Sequence, residues 1–248
     1  MQTVCTFLKK IKTNTGKISA IAIIPARGGS KRIPRKNIKS FCGKPIIAYS
    51  IEAAISSNLF DEIMVSTDDK EIALIAKQYG ASVPFMRSKK NADDFATTFD
   101  VIKEVIESYK KIDWSFKYGC CIYPTAPFVT TTLLHQAFKK LVDNNFDTAF
   151  PVAQSSYPIC RSLKIEDNKV SLWWPENLNK RSQDLPFSYH DAGQFYWFNV
   201  ENIMQKGMLL TDNTGAIIID ELQAQDIDTL DDWKIAEFKY KYLQGLTN

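Results

Sequence analysis

Residues 18–37 read ISAIAIIPARGGSKRIPRKN, and the prediction of the fold starts from them. The run from 18 to 24 is short and almost wholly apolar, which is typical of a β-strand buried on both faces. Two adjacent glycines and five cations follow within ten residues, from Arg27 to Lys36. An open α/β sheet binds its ligands at the carboxyl ends of its strands. The stretch therefore predicts an α/β protein with an anion-binding loop after its first strand.

Beyond this strand, the sequence alternates between short strand-like runs and amphipathic helical patterns. Repeated alternation requires crossover connections, so it predicts a mostly parallel sheet with helices on both faces. The expected strands are 18–24, 62–66, 81–86, 118–123, 195–200 and 216–220. The expected helices are 45–57, 69–79, 98–110, 130–143 and a final one that begins at a capping box formed by Thr229 and Asp232.

The regular pattern lapses between residues 155 and 190, where three prolines and two adjacent tryptophans interrupt it. A structureless connection of that length is unusual inside a compact domain. We therefore expect residues 155–190 to form a small β-rich arm. Residues 18–154 and 191–248 would form the main domain, and residues 1–17 a lead-in to it.

Composition limits the classes of function. The 248-residue chain has 31 Lys and Arg against 28 Asp and Glu, a formal charge of +3, which is too small to favour nucleic acid or an anionic membrane as a partner. Its apolar runs are much shorter than the ~20 residues of a membrane-spanning helix. Five cysteines, an odd number without a C-x-x-C pair, argue against a disulfide framework and a zinc site. We expect a cytoplasmic protein, and we do not interpret residues 1–17 as a secretory signal because their lysines follow the apolar patch.

The glycine-rich loop has the chemistry of a polyphosphate site. Glycines allow the backbone to approach a ligand and direct N–H groups towards it, while the surrounding cations neutralise negative charge. The loop matches neither G-x-x-x-x-G-K-[ST] nor G-x-G-x-x-G, so it indicates neither a P-loop nor a dinucleotide cofactor. A solvated charged turn is the alternative, but five clustered cations would repel one another without an anion.

Several motifs in order give a family resemblance. The segment IPARGGSKRIPRKN (24–37) resembles the signature of the CMP-sugar synthetases, cytidylyltransferases that activate nonulosonic acids with CTP. The resemblance continues through KPIIAYS (44–50), VSTDD (65–69), YPTAP (123–127) and DIDT (226–229). It implies a Rossmann-like, GT-A-like nucleotidyltransferase fold, and an arm that mediates a homodimer. The implied reaction transfers CMP from CTP to an acidic nine-carbon sugar and releases pyrophosphate.

The same resemblance assigns the nucleotide site. The residues implied to hold CTP are Ala26, Arg27, Gly28, Gly29, Ser30, Lys31, Lys36, Asn37, Arg87, Asp93 and Thr97. Among these, Arg27, Lys31 and Lys36 are expected to be catalytic, together with Asp228, because phosphoryl transfer depends on positioning and charge neutralisation. The family's Arg-Pro-x-x-Leu-Ala pattern is altered here to RSKKNA (87–92).

Asp226 and Asp228 are the candidate metal ligands. Carboxylates at i and i+2 of an extended segment project to the same side. Oxygen ligands suit Mg²⁺, which commonly takes one or two carboxylates together with phosphate oxygens, and Mn²⁺ is possible as well. By itself, such a pair before a helix is more often a cap or a solvated turn. The basic loop and the family resemblance favour the metal.

For the acidic sugar the candidates are Tyr123, Arg181, His190 and Gln194. Arg offers a bidentate partner for a carboxylate, and Arg181 would act on the partner's site if the arm covers it. His190 could serve as a general base or as a hydrogen-bonded structural residue. The segments 123–127, 181–186 and 189–197 resemble the pseudaminic acid branch of the family more than the sialic acid branch.

Two other hypotheses remain open. The same chemistry could act on sialic, legionaminic or Kdo-type acids, since composition and spacing do not identify the sugar. A protein of another class, which binds nucleotide but has lost catalysis, is disfavoured by the complete basic loop and by both aspartates. An RNA-binding role is disfavoured by the near-neutral charge and by the absence of aromatic residues in the loop.

Overall fold

A computed structural model describes residues 19–246, so the predicted lead-in of residues 1–17 lies outside the described residues. The strands are β1 (Ala20–Pro25), β2 (Ser40–Phe41), β3 (Lys44–Pro45), β4 (Glu62–Ser66), β5 (Tyr118–Ile122), β6 (Thr148–Gln154), β7 (Leu163–Glu166), β8 (Lys169–Leu172), β9 (Tyr189–Asp191), β10 (Phe195–Asn199) and β11 (Thr214–Ile219). The helices are α1 (Ile46–Ser57), α2 (Lys70–Gln78), α3 (Thr98–Lys110), α4 (Thr131–Asp143), α5 (Val200–Lys206) and α6 (Leu230–Leu243).

Seven of these strands form the main sheet, in the order β11-β6-β10-β5-β1-β4, with β9 paired to β6. β1 lies near the middle, parallel to β4 and β5, and β11 is parallel to β6. β10 runs antiparallel to both β5 and β6, and β9 runs antiparallel to β6. The α/β class is confirmed, and the sheet is mixed because the chain returns from residues 155–188 in the opposite direction.

The two faces of the sheet are covered by different helices. Along β1, Ala20, Ala22 and Ile24 pack into a cluster with α1, α2 and α4, whereas Ile21 and Ile23 pack into a cluster with α3 and α5. This alternation follows from the two-residue period of a strand. The predicted covering of both faces by helices is confirmed. Because the helices cover both faces, a ligand can reach the sheet backbone only at the ends of the strands.

A third apolar cluster lies outside the sheet and supports the ligand-binding end. It joins Ile33 of the glycine-rich loop, Phe41 of β2, Ile227 and Trp233 of α6. Phe41 and Trp233 meet edge to face, with their ring centroids 5.5 Å apart. The cluster fixes α6 and the segment before it against the glycine-rich loop, although about 190 residues separate them in the chain.

The helix predictions at 98–110 and 130–143 agree with α3 and with α4, whose N-cap is Thr130. The capping box of Thr229 and Asp232 is present at the start of α6. The predicted strand 81–86 is wrong, because only Ser82 makes a bridge, to Met64. Pro84 lacks an N–H group, so the ladder does not continue. The sequence analysis did not identify β6 or α5.

Residues 155–188 contain one two-stranded hairpin, β7–β8, and several 3-10 turns. Large apolar side chains are exposed along this segment, among them Ile165, Val170, Trp173 and Phe187. The strand that follows, β9, pairs with β6 of the main sheet, so the return to the main domain begins at Tyr189. Within residues 19–246, no helix combines the length and the apolar character needed to cross a membrane.

Candidate active site

The glycine-rich loop leaves the carboxyl end of β1 and packs against the segment after β4. The N–H of Gly28 donates to Asp68 Oδ1 at 2.9 Å. A Cβ at position 28 would lie 2.8 Å from Asp69 Oδ2, so a larger residue would push the loop away. A Cβ at Gly29 would meet nothing within 4 Å. Gly28 is therefore the glycine that this close approach requires.

Arg35 anchors the far end of the loop. It has a left-handed backbone conformation, with φ of 55°. Its guanidinium group binds Asp69 at 2.5 and 3.0 Å and Glu71 at 2.6 Å. The hydrogen bond from Arg35, assisted by the backbone N–H groups at the start of α2, lowers the pKa of Asp69 to about 2. This cation therefore holds the loop on α2 and is not free to bind a ligand.

The other four cations of the loop are paired with carboxylates from two separate segments. Arg27 binds Asp94 Oδ1 at 2.6 Å and the backbone oxygen of Asp93 at 3.0 Å, and Lys31 binds the second oxygen of Asp94. The side chain of Asp93 accepts the N–H groups of residues 95 and 96, at 2.9 and 2.8 Å, and so shapes the turn. Thr97 caps α3 in a capping box with Asp100.

On the opposite side of the loop, Arg32 and Lys36 face the segment before α6. Arg32 Nη2 lies 2.8 Å from Asp228 Oδ1. Lys36 Nζ donates to the backbone oxygen of Ile227 at 2.7 Å and lies 3.4 Å from Asp228 Oδ1. The buried side chain of Asn37 donates to the backbone oxygen of Arg27 at 2.9 Å, so it connects the two ends of the loop.

Asp226 and Asp228 flank Ile227, which is fully buried in the cluster beneath α6. The N–H of Asp228 donates to Asp232 Oδ2 at 3.1 Å, which fixes the segment against the first turn of the helix. Loss of hydration, followed by repulsion from Asp228, raises the pKa of Asp226. The structure therefore brings the two predicted metal ligands together and holds them beside the basic loop. No cluster of three or more His, Cys, Asp or Glu suited to a metal occurs within residues 19–246.

Arg87 is buried at the end of β4. Its guanidinium group donates to Ser66 Oγ at 3.0 Å and to the backbone oxygen of Ser66 at 2.6 Å. Burial lowers the pKa of Arg87, with a smaller contribution from repulsion by Arg27. This predicted nucleotide ligand thus lies behind the loop, close enough to Arg27 for the two charges to interact.

Tyr123 follows β5 and forms part of an aromatic pair. Its hydroxyl group lies 3.1 Å from Thr98 Oγ1, and its ring meets that of Tyr196 edge to face at 5.4 Å. The hydroxyl of Tyr196 donates to Asp191 Oδ2 at 2.7 Å. Burial raises the pKa of Tyr123 and of Tyr196, so both phenols are neutral hydrogen-bonding groups.

Beside this pair lies a cavity of about 280 Å³ between β6, β9 and β10. Its polar lining includes His190, Asp191 and Tyr196, and the apolar lining is Phe150, Val152, Leu209 and Leu210. Gly193, in a left-handed conformation with φ of 63°, allows the chain to bend between β9 and β10. At this bend the N–H of Ala192 donates to the backbone oxygen of Pro151 at 3.1 Å, and a Cβ at Gly193 would lie 4.0 Å from Asp226. The bend thus connects the cavity to the acidic pair.

Two predicted sugar residues lie elsewhere. Arg181 is exposed, and it pairs with Asp184 three residues later, at 2.7 and 3.0 Å. Gln194 is 1% exposed, and its amide nitrogen donates to the backbone oxygen of Gln223. The side chain of Gln194 is enclosed between the sheet and the segment that leads to the acidic pair, and its amide oxygen has no hydrogen-bond partner among the described residues, so its contact with a sugar stays a prediction.

The sequence analysis missed four residues that shape the site: Asp68, Asp94, Asp191 and Tyr196. Asp68 belongs to a quoted motif, and Asp191 and Tyr196 lie in the quoted segment 189–197, so a local signal was available for these three. Asp94 acts through a contact between segments distant in sequence, with Arg27, 67 residues away. A single sequence contains no direct sign of such pairs.

A basic loop after the first strand, an acidic pair facing it and an adjacent cavity, all on an α/β sheet, are features of nucleotidyltransferases. The chain belongs to the cytidylyltransferase family, whose model matches residues 21–229. It is therefore an enzyme of the nucleotidyltransferase class.

Among curated relatives, the chain is 40% identical over 222 residues to a pseudaminic acid cytidylyltransferase of Campylobacter jejuni strain 81-176, covering 89% of this chain and 96% of the relative. It is 32% identical over 221 residues to the CMP-N,N'-diacetyllegionaminic acid synthase of Legionella pneumophila, covering 88% and 94%. Among solved structures, a CMP:2-keto-3-deoxy-manno-octonic acid synthetase complexed with CTP superposes with a TM-score of 0.64 at 17% identity, covering 92% of this chain and 100% of that one. This last likeness concerns the fold.

Proposed function

We propose that the protein transfers CMP from CTP to the anomeric hydroxyl group of pseudaminic acid and releases pyrophosphate. The observation that carries the reaction type is the contact of Lys36 with the Ile227–Asp228 segment, which joins the phosphate-binding loop to the acidic pair. The observation that favours the sugar is the 40% identity to a relative of that name over nearly its whole length.

In this proposal the glycine-rich loop binds the triphosphate. Arg27, Lys31 and Lys36 exchange their carboxylate partners for phosphate oxygens. The loop backbone at Gly28, Gly29 and Ser30 donates N–H groups to the same anion, once the N–H of Gly28 has left Asp68 and that of Ser30 has left the Gly28 oxygen. The sugar hydroxyl attacks the α-phosphorus in line with the bond to the leaving group. The hydroxyl group loses its proton to water as its oxygen bonds to the α-phosphorus, the bond from that phosphorus to the oxygen that bridges to the β-phosphate breaks, and the cations neutralise the charge on pyrophosphate.

Asp226 and Asp228 fit a Mg²⁺ or Mn²⁺ site, because the pair offers two oxygen ligands and leaves the remaining positions to water and phosphate. Loss of hydration and, after it, repulsion from Asp228 raise the pKa of Asp226, so the two carboxylates lie close enough for their charges to interact. A bound divalent cation would neutralise charge on the phosphates. The chain's own part is to hold the carboxylates in place through Ile227 and Asp232.

The cavity beside Tyr123 and Tyr196 is the proposed sugar site. Its mixture of apolar side chains with His190, Asp191 and Tyr196 suits an acidic sugar that carries acylamido groups, since these present both methyl groups and hydrogen-bonding atoms. His190 is exposed on β9, where it can hydrogen-bond to a sugar hydroxyl. Tyr123 reaches the same site through its contact with Tyr196.

We also propose a homodimer in which the arm, residues 155–190, contacts the second copy. The exposed apolar side chains of this arm give it a surface that a partner can cover; Ile165 is 73% exposed and Phe187 is 76% exposed. In such a dimer, Arg181 would bind the sugar carboxylate in the partner's site, after leaving Asp184. The ion pair of Arg181 with Asp184 is exposed and therefore weak, so Arg181 can exchange Asp184 for the sugar carboxylate.

We place the enzyme in the cytoplasm. Its proposed substrate CTP is a metabolite of that compartment, and its cysteines within the described residues are free thiols. Cys120 and Cys121 are fully buried in β5, where burial raises the pKa of each thiol. They are expected to be unreactive.

The test is pyrophosphate release from CTP and Mg²⁺ with pseudaminic, legionaminic, N-acetylneuraminic and Kdo acids, with ATP, GTP and UTP as nucleotide controls. The proposal predicts release with CTP and pseudaminic acid, and none with the other nucleotides. Pyrophosphate release only with legionaminic acid would overturn the choice of sugar and favour the sugar for which the Legionella relative is named. If the protein binds CTP but releases no pyrophosphate in the presence of any of the four acids, it has lost catalysis.

A further inference from the structure

The carboxylate of Asp94 bridges two cations of the glycine-rich loop, Arg27 and Lys31. One of its carboxylate oxygens binds Arg27 at 2.6 Å, and the other binds Lys31. A carboxylate that divides its two oxygens between two cations forms the same bridge that two oxygens of a phosphate group would form. Arg27 and Lys31 have no other acidic partner within residues 19–246.

The turn that carries Asp94 is anchored on both sides of its tip. Before the tip, Asp93 accepts two backbone N–H groups, and after it Thr97 and Asp100 form the capping box of α3. The tip itself is exposed, and Phe95 is 90% exposed. Asp94 can therefore leave the cations by a side-chain rotation or a small movement of the tip, without disturbing α3.

We infer that Asp94 is an internal counter-ion that competes with the nucleotide triphosphate for Arg27 and Lys31. This inference rests on the proposed function, because it assumes that the triphosphate binds these two cations. The hydrogen bonds from Lys31 and Arg27 also lower the pKa of Asp94, so the carboxylate is charged at neutral pH. The competition keeps the cations from repelling one another before CTP binds, and it helps to displace pyrophosphate afterwards.

Replacement of Asp94 by a triphosphate on Arg27 and Lys31 is energetically feasible because these two ion pairs are exposed. Solvent and salt screen such a contact, whereas a triphosphate has a larger charge and more oxygens to offer. Asp94→Asn removes the competing charge and keeps the shape of the turn. It is expected to tighten CTP binding roughly two- to fivefold, the range that corresponds to an exposed ion pair.

The experiment measures Kd by isothermal titration calorimetry at low salt, for the wild type and for Asp94→Asn, with three probes: CTP, inorganic pyrophosphate and cytidine. The expected result is a lower Kd for CTP and for pyrophosphate in Asp94→Asn, and an unchanged Kd for cytidine, which has no phosphate. The gain should shrink in high salt. Glu71→Gln is the matched control, because Glu71 pairs with Arg35 on the outer side of the same loop, and its CTP affinity should equal that of the wild type.

Unchanged or weaker CTP binding by Asp94→Asn would overturn the inference, and weaker binding would mean that Asp94 contacts the nucleotide or its metal. A lower Kd for cytidine as well would also overturn it, since the base pocket would then have changed. A wild type that does not bind CTP at all would instead refute the proposed function, so the two failures are distinguishable.

Discussion

Lys36 donates a hydrogen bond to the backbone oxygen of Ile227 at 2.7 Å, and this bond joins the glycine-rich loop to the acidic pair. The same ammonium group lies 3.4 Å from Asp228. Ile33 and Ile227 belong to one buried apolar cluster, which holds the two segments on either side of this bond together. The spacing between the cations and the carboxylates is therefore fixed by the fold, before any ligand arrives.

Lys36→Ala is expected to lower kcat/KM for CTP roughly 100- to 1,000-fold, the usual effect of removing a donor that stabilises developing charge. Steady-state pyrophosphate release measures it. Lys39→Ala is the matched control, because Lys39 lies three residues later, is exposed, and has its ammonium group 5.5 Å from the ring centroid of Trp233. A Lys36→Ala enzyme as active as the Lys39→Ala enzyme would contradict the triphosphate role.

Asp228→Ala is expected to abolish turnover because it removes a proposed metal ligand and leaves Arg32 and Lys36 without their carboxylate partner. The fold should remain intact, since Asp228 is only partly buried, and circular dichroism can check this. Asp231→Ala, three residues later and exposed, should keep activity. Normal Mg²⁺-dependent activity of Asp228→Ala would remove the metal assignment.

Tyr123→Gln tests the choice of sugar. The substitution removes the ring contact with Tyr196 and the hydrogen bond to Thr98. We expect kcat/KM for pseudaminic acid to fall relative to the other nonulosonic acids, while KM for CTP changes little. Tyr242→Gln, at an exposed position of α6, is the control. The role of Tyr123 is refuted if the order of preference among the acids stays the same.

Asp69→Asn isolates the charge of the carboxylate that anchors Arg35, because Asn is also a good N-cap residue. The pKa of Asp69 is lowered to about 2 from 3.8, so its contribution is fully present above pH 4 and is lost as the pH falls towards 2. After a discount for solvent screening, we expect the variant to be about 1 kcal/mol less stable at pH 7. Urea unfolding at pH 7 and at pH 2.5 would measure this difference, which should decrease at the lower pH. A pH-independent difference would show that the charge is not its cause.

The dimer proposal predicts complementation between two inactive variants. Arg181→Ala would lack the residue that reaches the partner's site, and Lys36→Ala would lack its own phosphate ligand. In an isologous dimer, an equal mixture that has exchanged subunits forms one complete site in half of its molecules, so about 25% of wild-type activity should return. Lys36→Ala mixed with Asp228→Ala is the control, and it should stay inactive because both residues act within one chain. No recovery in the first mixture, with subunit exchange verified, would place Arg181 outside the partner's site.

Local signals predicted much of the fold. The apolar run before Arg27, the helix patterns and the capping box at Thr229 each lie within a few residues of the element that they specify, and the structure contains all of them. The direction of β10 was not predictable from periodicity, because alternation gives the faces of a strand but not its orientation. The chain between β6 and β9 contains no crossover helix, and this permits the antiparallel return.

The candidate site also contains some residues that the local sequence predicts and others that it does not. The loop and the pair Asp226 and Asp228 stand out because several functional residues are adjacent in sequence. The burial of Gln194, by contrast, depends on its contact with Gln223, 29 residues away, and no local pattern reports it. Side chains such as Arg87 carry a charge that suggests a ligand, and only the packing around Ser66 reveals the protein partner.

The position of the acidic pair after β11 has a consequence for biosynthesis. The glycine-rich loop emerges from the ribosome before the acidic pair, because Asp228 lies 192 residues after Lys36. At ordinary rates of translation, about 10–40 s separate the two. During that interval the nascent chain can pair β1 with β4 and β5, and Asp94 is already present for Arg27 and Lys31, whereas Arg32 and Lys36 still lack Asp228. The segment that carries Asp226 and Asp228 therefore completes the chemistry as well as the fold, and we expect a chain that ends before Asp226 to have a loop that binds anions without being able to use them.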